Sequence, residues 1–161
     1  MEVEMKIRGL MMDPVTQMPI VVLKDVQGHA VLPIWVGAYE ANAIALEIEK
    51  VQTPRPMTHD LLKNVLQGLE ATVQKIVVND LRDDTFYALI WVERDGELMS
   101  IDSRPSDALA LALRMDCPIF VDEAVLKNSK VSSALTERTT NDQLRSYLEG
   151  LSDDDLGRYK M

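Results

Sequence analysis

One stretch of this 161-residue chain occurs twice, so the fold has to accommodate both copies. Ile101–Asp116 aligns with Ile34–Glu49 at an offset of 67 residues, with Ile34 falling on Ile101. Ala41, Ala43, Ala45 and Leu46 recur as Ala108, Ala110, Ala112 and Leu113, and Glu40 and Glu49 recur as Asp107 and Asp116. Each copy runs from an extended segment into an alanine-rich helix with a carboxylate in its first turn. The copies are unequal, because only the second carries Asp102-Ser-Arg-Pro-Ser106. Function is expected at that asymmetry.

The rest of the pattern extends the duplication. Glu4–Leu10, Ile20–Lys24 and Ala30–Val36 read as strands, rich in β-branched residues, and a helix from Gly37 to about Glu49 follows. That helix is nearly all apolar and is expected to be buried. Pro54 and Pro56 break the chain before a second helix from Thr58, its expected N-cap, to about Leu69. Leu61, Leu62, Val65, Leu66 and Leu69 make one apolar stripe on that helix. Strands Thr72–Asn79, Thr85–Glu93 and Glu97–Asp102 come next, with Asp95-Gly96 as a hairpin turn. Pro105 opens a third helix to about Met115, Pro118–Val121 is a short strand, and Asp122–Leu126 a helical turn. The expected architecture is α+β: duplicated β-β-β-α units over about 3–50 and 70–117, a spacer helix, and a mixed or antiparallel sheet as the common core. A domain over 1–130 would be followed by a linker and helical appendage over 131–161, with Asn141–Leu151 amphipathic and Ser152 capping a last short helix. The two alanine-rich helices should pack closely, possible partners for one another.

Bulk properties narrow the function. The net charge of −9 weighs against holding a nucleic acid by charge neutralisation alone. No apolar run is long enough for a membrane span, and Met1–Lys6 lacks a secretory pattern. The single cysteine, Cys117, is expected to be a buried thiol, and a cytoplasmic protein that does not engage membranes follows. Exposed sheet edges and the tail helix make a homo-oligomer the expected assembly. No phosphate-binding glycine loop, nucleophile elbow or dinucleotide fingerprint occurs.

Two blocks could carry chemistry. In Arg55-Pro-Met-Thr-His-Asp60, His59 sits at the positive end of a helix dipole, which favours the neutral imidazole of a general base or metal ligand. Equally, Thr58 could cap and Asp60 answer the dipole, leaving His59 an exposed first-turn residue. In Asp102-Ser-Arg-Pro-Ser-Asp107, Arg104 stands at a strand-to-helix junction suited to phosphate, Ser103 and Ser106 offer hydroxyls, and Asp102 and Asp107 could hold a divalent ion. The structural alternative makes Asp107, and Glu40 in the first copy, capping carboxylates, with Arg104 a buried tie to Asp60 or Asp107.

Leu32-Pro-Ile-Trp-Val-Gly37 with Glu40-Ala41, then Arg55–Asp60, then Asp102–Ala108 followed by Pro118–Glu123, resemble in order the signature blocks of the bifunctional nuclease domain family. The resemblance covers about residues 3–130 and implies an α+β domain that cleaves DNA and RNA, an activity attached mainly to plant members. On that reading His59, Asp60, Asp102, Arg104 and Asp107 form the catalytic set, and Arg55, Thr58, Ser103 and Ser106 bind substrate. Asp60, Asp102, Asp107 and Glu40 are the carboxylates for a divalent ion, Mg²⁺ or Mn²⁺, and the partner is single-stranded or flexible nucleic acid. The alternative is a non-catalytic module that binds a protein or a small anion.

Overall fold

The structure, a computed structural model, describes residues 1–129, so the expected linker and appendage over 131–161 lie outside the described residues. The first unit is β1 (Glu2–Met12), β2 (Pro19–Asp25), β3 (Val31–Trp35) and α1 (Ala38–Ile48). Helix α2 (Thr58–Gly68) is the spacer. The second unit is β4 (Thr72–Arg82), β5 (Thr85–Arg94), β6 (Glu97–Ser103) and α3 (Pro105–Met115), and β7 (Ile119–Asp122) and α4 (Glu123–Asn128) close the described chain. The duplication therefore holds element for element, and the two 11-residue helices start and stop in equivalent places.

Turn chemistry explains the hairpins. Asp95 (φ 52°) and Gly96 (φ 76°) both take the positive φ that a two-residue hairpin requires. Asp83 (φ 50°) and Asp84 (φ 59°) do the same between β4 and β5, a turn that carries no glycine to announce it. Asp116 (φ 53°) ends α3 in the left-handed conformation.

All seven strands share one sheet in the order β3-β2-β1-β7-β4-β5-β6. The two three-stranded meanders flank β7, which is antiparallel to β1 and parallel to β4. Laid flat, six strand spacings would separate the outer strands by roughly 29 Å. Instead Arg104, just after β6, reaches Glu40, just after β3, at 3.0 Å. The sheet is thus strongly coiled, as accumulated twist and the bulges in β1 and β4 allow. Helix α3 lies inside the curl between α1 and α2, and eight of its eleven residues are buried.

Two expectations, the burial of α1 and the cap of α2, need correction. Helix α1 is buried only along Ala41 and Ile44, and Tyr39 stands in solvent, because α3 occupies the central position that α1 would otherwise fill. Helix α2 has no fully buried residue: Leu66 packs against the core while Leu61, Val65 and Leu69 stay exposed. Its N-cap is Met57, not Thr58, and Asp60 closes the cap by accepting the Met57 N–H at 2.9 Å.

Away from the helices, Trp35 donates its indole N–H to Asp13 at 2.8 Å, and both residues are fully buried. Burial pushes the Asp13 carboxyl up, but the Trp35, Val15 and Thr16 donors outweigh it and hold the group below its ordinary 3.8. Asp60 and Asp107 are likewise depressed. Depressed native carboxylates stabilise the fold above the unfolded-state value and lose that contribution as pH falls through the lower native values. The melting temperature should therefore hold steady from pH 7 to about 5 and fall below about pH 4. A differential scanning calorimetry series checks this, and Asp13→Asn should flatten the acid limb.

Candidate active site at three converging helix N-termini

The N-termini of α1, α2 and α3 meet, and each helix carries an acid at its third position: Glu40, Asp60 and Asp107. Helix dipoles favour negative charge there. What distinguishes the three is where each carboxylate turns.

Asp107 does not reach back to the backbone, and no side chain caps α3. It accepts the Arg104 Nε–H at 2.9 Å through one oxygen, and its other oxygen lies 2.9 Å from His59 Nε2. Burial pushes the Asp107 carboxyl up, but Arg104 and then His59 outweigh that and keep it ionised. An ionised carboxylate can only accept, so His59 Nε2 is the donor and the lone pair of the neutral ring sits on Nδ1. Glu40 takes a second Arg104 N–H, from Nη2, at 3.0 Å. Hydrogen bonding to Asp107 above all raises the Arg104 pKa above the ordinary arginine value. The equivalent acids of the two copies thus clamp one guanidinium supplied by the altered copy.

Gly37 makes room for this clamp. Its φ of −71° suits any residue, but a Cβ there would lie 2.2 Å from Glu40 Oε2. Gly37→Ala is expected to fold normally while turning Glu40 aside. Proton NMR would show faster exchange of the Arg104 Nη2 protons, as in Glu40→Gln.

Asp60 has a different job. Its Oδ1 accepts from Arg114 Nε at 2.7 Å, and Arg114 also donates to the Ala110 carbonyl (2.9 Å) and the Ala43 carbonyl (3.0 Å). Backbone donation from Met57 and then Arg114 hold the Asp60 carboxyl low. Arg114, 7% exposed, is the buried tie joining α1, α2 and α3. The sequence reading considered that role for Arg104, which instead has a half-exposed side chain. The missed signal was a lone charge in the otherwise apolar run Ala108–Met115.

The remaining candidates divide. Thr58, Asp102, Ser103, Arg104 and Asp107 line one groove of about 640 Å³ between α2 and the β5–β6 edge. The Ser103 hydroxyl donates to the Arg104 carbonyl at 2.8 Å. Arg55 is exposed on the loop before α2. Ser106 is wholly buried in the first turn of α3, so it does not meet a ligand entering from solvent. Asp102 pairs across the ladder with Leu89, whereas Ser103 and Ile101 pair with Ala88 and Ile90. Alternation sends the Asp102 carboxylate to the sheet face opposite the helices. Asp102 thus borders the same groove as Arg104 and Asp107, while the strand period turns its carboxylate away from them. Cys117 is half-buried, and burial pushes its thiol up to about 11.

These donors do not make a cation seat. Asp107 is committed through both oxygens, one Glu40 oxygen is held by Arg104, and Asp102 points away. Among the described residues no group of three His, Cys, Asp or Glu side chains could hold a metal ion. No helix among them is long and apolar enough to cross a membrane.

Residues 21–134 match the bifunctional nuclease domain, and the chain belongs to that family. It is 33% identical over 163 aligned positions to an uncharacterised protein of Mycobacterium tuberculosis (strain ATCC 25618 / H37Rv), covering 95% of this chain and 97% of that one. It is 26% identical over 113 positions to bifunctional nuclease 1 of Oryza sativa subsp. japonica, covering 68% of this chain and 34% of that one. Against bifunctional nuclease 1 of Arabidopsis thaliana the figures are 27% over 127 positions, with 71% and 39% covered. The chain therefore spans little more than a third of the plant proteins it matches.

Proposed function

We propose that the chain is a phosphodiester-cleaving nuclease for single-stranded or flexible DNA or RNA, with His59, Asp107 and Arg104 at its centre. The observation that carries this reading is the continuous hydrogen-bonded path from His59 through Asp107 to Arg104, the last two lining an open groove. Asp107 holds the imidazole in one tautomer, leaving Nδ1 to take a proton from the attacking oxygen and return it to the departing one. As that oxygen bonds to phosphorus, the opposite P–O bond breaks. Two of the five Arg104 N–H groups serve Asp107 and Glu40, and the other three are available to phosphate oxygens. Arg55 adds a second cation at the groove approach and Thr58 a hydroxyl. Single strands suit the groove because they bend to present one phosphate at a time, whereas the −9 charge repels a long rigid duplex.

The test is cleavage of labelled single-stranded DNA and RNA by the purified chain in Mg²⁺, in Mn²⁺ and in EDTA. His59→Ala and Arg104→Ala should each slow cleavage by about 100-fold. Wild-type cleavage no faster than that of the double variant would sink the proposal. The EDTA arm reads any dependence on a divalent ion.

One observation favours a second reading, a non-catalytic module for a protein or small anion. The groove walls are mainly apolar, with Leu62, Leu66, Ile90, Val92, Ile101 and Leu111. Stabilisation of the inactive chain in a thermal-shift screen by inorganic phosphate, but not by oligonucleotides, would support it.

A further inference from the structure

The sheet's two outer strands are treated differently. Strand β3 is five residues long, carries Pro33 at its centre and is buried throughout. Proline and coverage both prevent an edge from pairing with another chain. Strand β6 has seven residues, six of them exposed, with no proline, lysine or bulge. Its outer edge has no partner strand among the described residues.

Apolar surface continues from this edge. Met99 and Ile101 are each 43% exposed on the helix side of β6, where they pair with Val92 and Ile90. Across the groove stands the open stripe of α2, with Leu61, Val65 and Leu69 about half exposed. With Leu62 and Met57, these side chains offer on the order of 500 Å² of apolar surface. That is near the upper range for a lone monomer and approaches the ~800 Å² per partner of a standard interface once backbone and rim are added.

We propose that this face binds a second copy of the chain, with β6 pairing antiparallel to β6 about a twofold axis at Ser100. The strand's own pattern selects that register. Centred on Ser100, Met99 lies opposite the second copy's Ile101, and Ile101 opposite its Met99, both on the helix side. Ser100 meets Ser100, Glu97 meets Ser103, and Leu98 meets Asp102. No two carboxylates oppose each other, although β6 carries two. The result is a fourteen-stranded sheet, two times seven, with the two α2 stripes beside the seam. Each groove then opens next to the interface.

The test uses the full chain in a Cys117→Ser background, so that an introduced thiol stands alone. Ser100→Cys brings two thiols together at the axis, because directly opposed residues place their Cα atoms about 4.5–5.5 Å apart, within disulfide reach. Glu97→Cys, three residues from the axis, stays roughly 20 Å from its counterpart. Under mild oxidation the Ser100→Cys chain should run as a covalent dimer on a non-reducing gel, and Glu97→Cys should not. Sedimentation equilibrium should give twice the 18.1 kDa chain mass, and Met99→Lys/Ile101→Lys should weaken dimerisation at least about 100-fold with an unchanged circular dichroism spectrum. A wild-type monomer up to about 100 µM overturns the proposal. So does equal crosslinking of both cysteine variants, or a dimer indifferent to the lysine pair. These readouts do not depend on cleavage, so the interface and the nuclease reading fail separately.

Discussion

Replacing Arg114 with leucine is expected to cost about 2–4 kcal/mol, the largest stability loss of any single change at the helix junction. The guanidinium is nearly buried and serves three acceptors on three elements: Asp60 on α2, Ala43 on α1 and Ala110 on α3. Leucine fills some of the volume but leaves one Asp60 carboxylate oxygen without its charged donor and takes the side-chain donor from the Ala43 and Ala110 carbonyls, which keep only their intrahelical N–H bonds. Asp60 keeps some contact with water, its side chain being 33% exposed, which puts the estimate below the full cost of stranding a buried charge. The melting temperature should fall by roughly 10 °C. Urea titrations of Arg114→Leu, Asp60→Leu and the double variant form the check. The double variant should recover part of the loss, because removing both partners leaves less unpaired charge than removing one. Additive losses would show that Asp60 and Arg114 act independently.

If the chain is the nuclease proposed above, Asp107→Asn should instead slow cleavage by roughly 10³-fold while costing far less stability than the Arg114 change. Asparagine keeps the shape but lacks the ionised oxygens that receive His59 Nε2–H and Arg104 Nε–H. Its amide N–H can face the ring, which then keeps its lone pair on Nε2 and loses it from Nδ1. Arg104 keeps its contact with Glu40, and its Nε–H then meets an uncharged amide oxygen in place of a carboxylate. Single-turnover cleavage measures the effect, and Asp102→Asn is the control. Asp102 lies on the other sheet face, so its variant should cleave at nearly the wild-type rate. Equal losses in the two variants would contradict the assignment of roles.

The duplication was readable because helix and strand periods survive divergence. Ala38–Ile48 and Pro105–Met115 occupy equivalent positions even though their exposures differ greatly. Exposure was less readable, since an apolar helix looks the same in sequence whether it holds the central position, as α3 does, or flanks it, as α1 does. The α2 stripe was visible as a pattern, but its exposure was not. For the site, motif proximity grouped Asp102 with Arg104 and Ser106 with Ser103. The strand period then turned Asp102 away, and the first turn of α3 buried Ser106.

Local chemistry along the chain was therefore enough to determine two β-β-β-α units, the Asp95-Gly96 hairpin, the proline-opened third helix and acids in the first turn of each long helix. These follow from backbone sterics and side-chain period, which act over a few residues. Tertiary structure alone decided that the acids of the two copies share Arg104, that Arg114 ties three helices, and that, among the described residues, β6 is left open while β3 is covered. Those outcomes depend on how far a seven-stranded sheet coils, which sums small twists over the whole molecule.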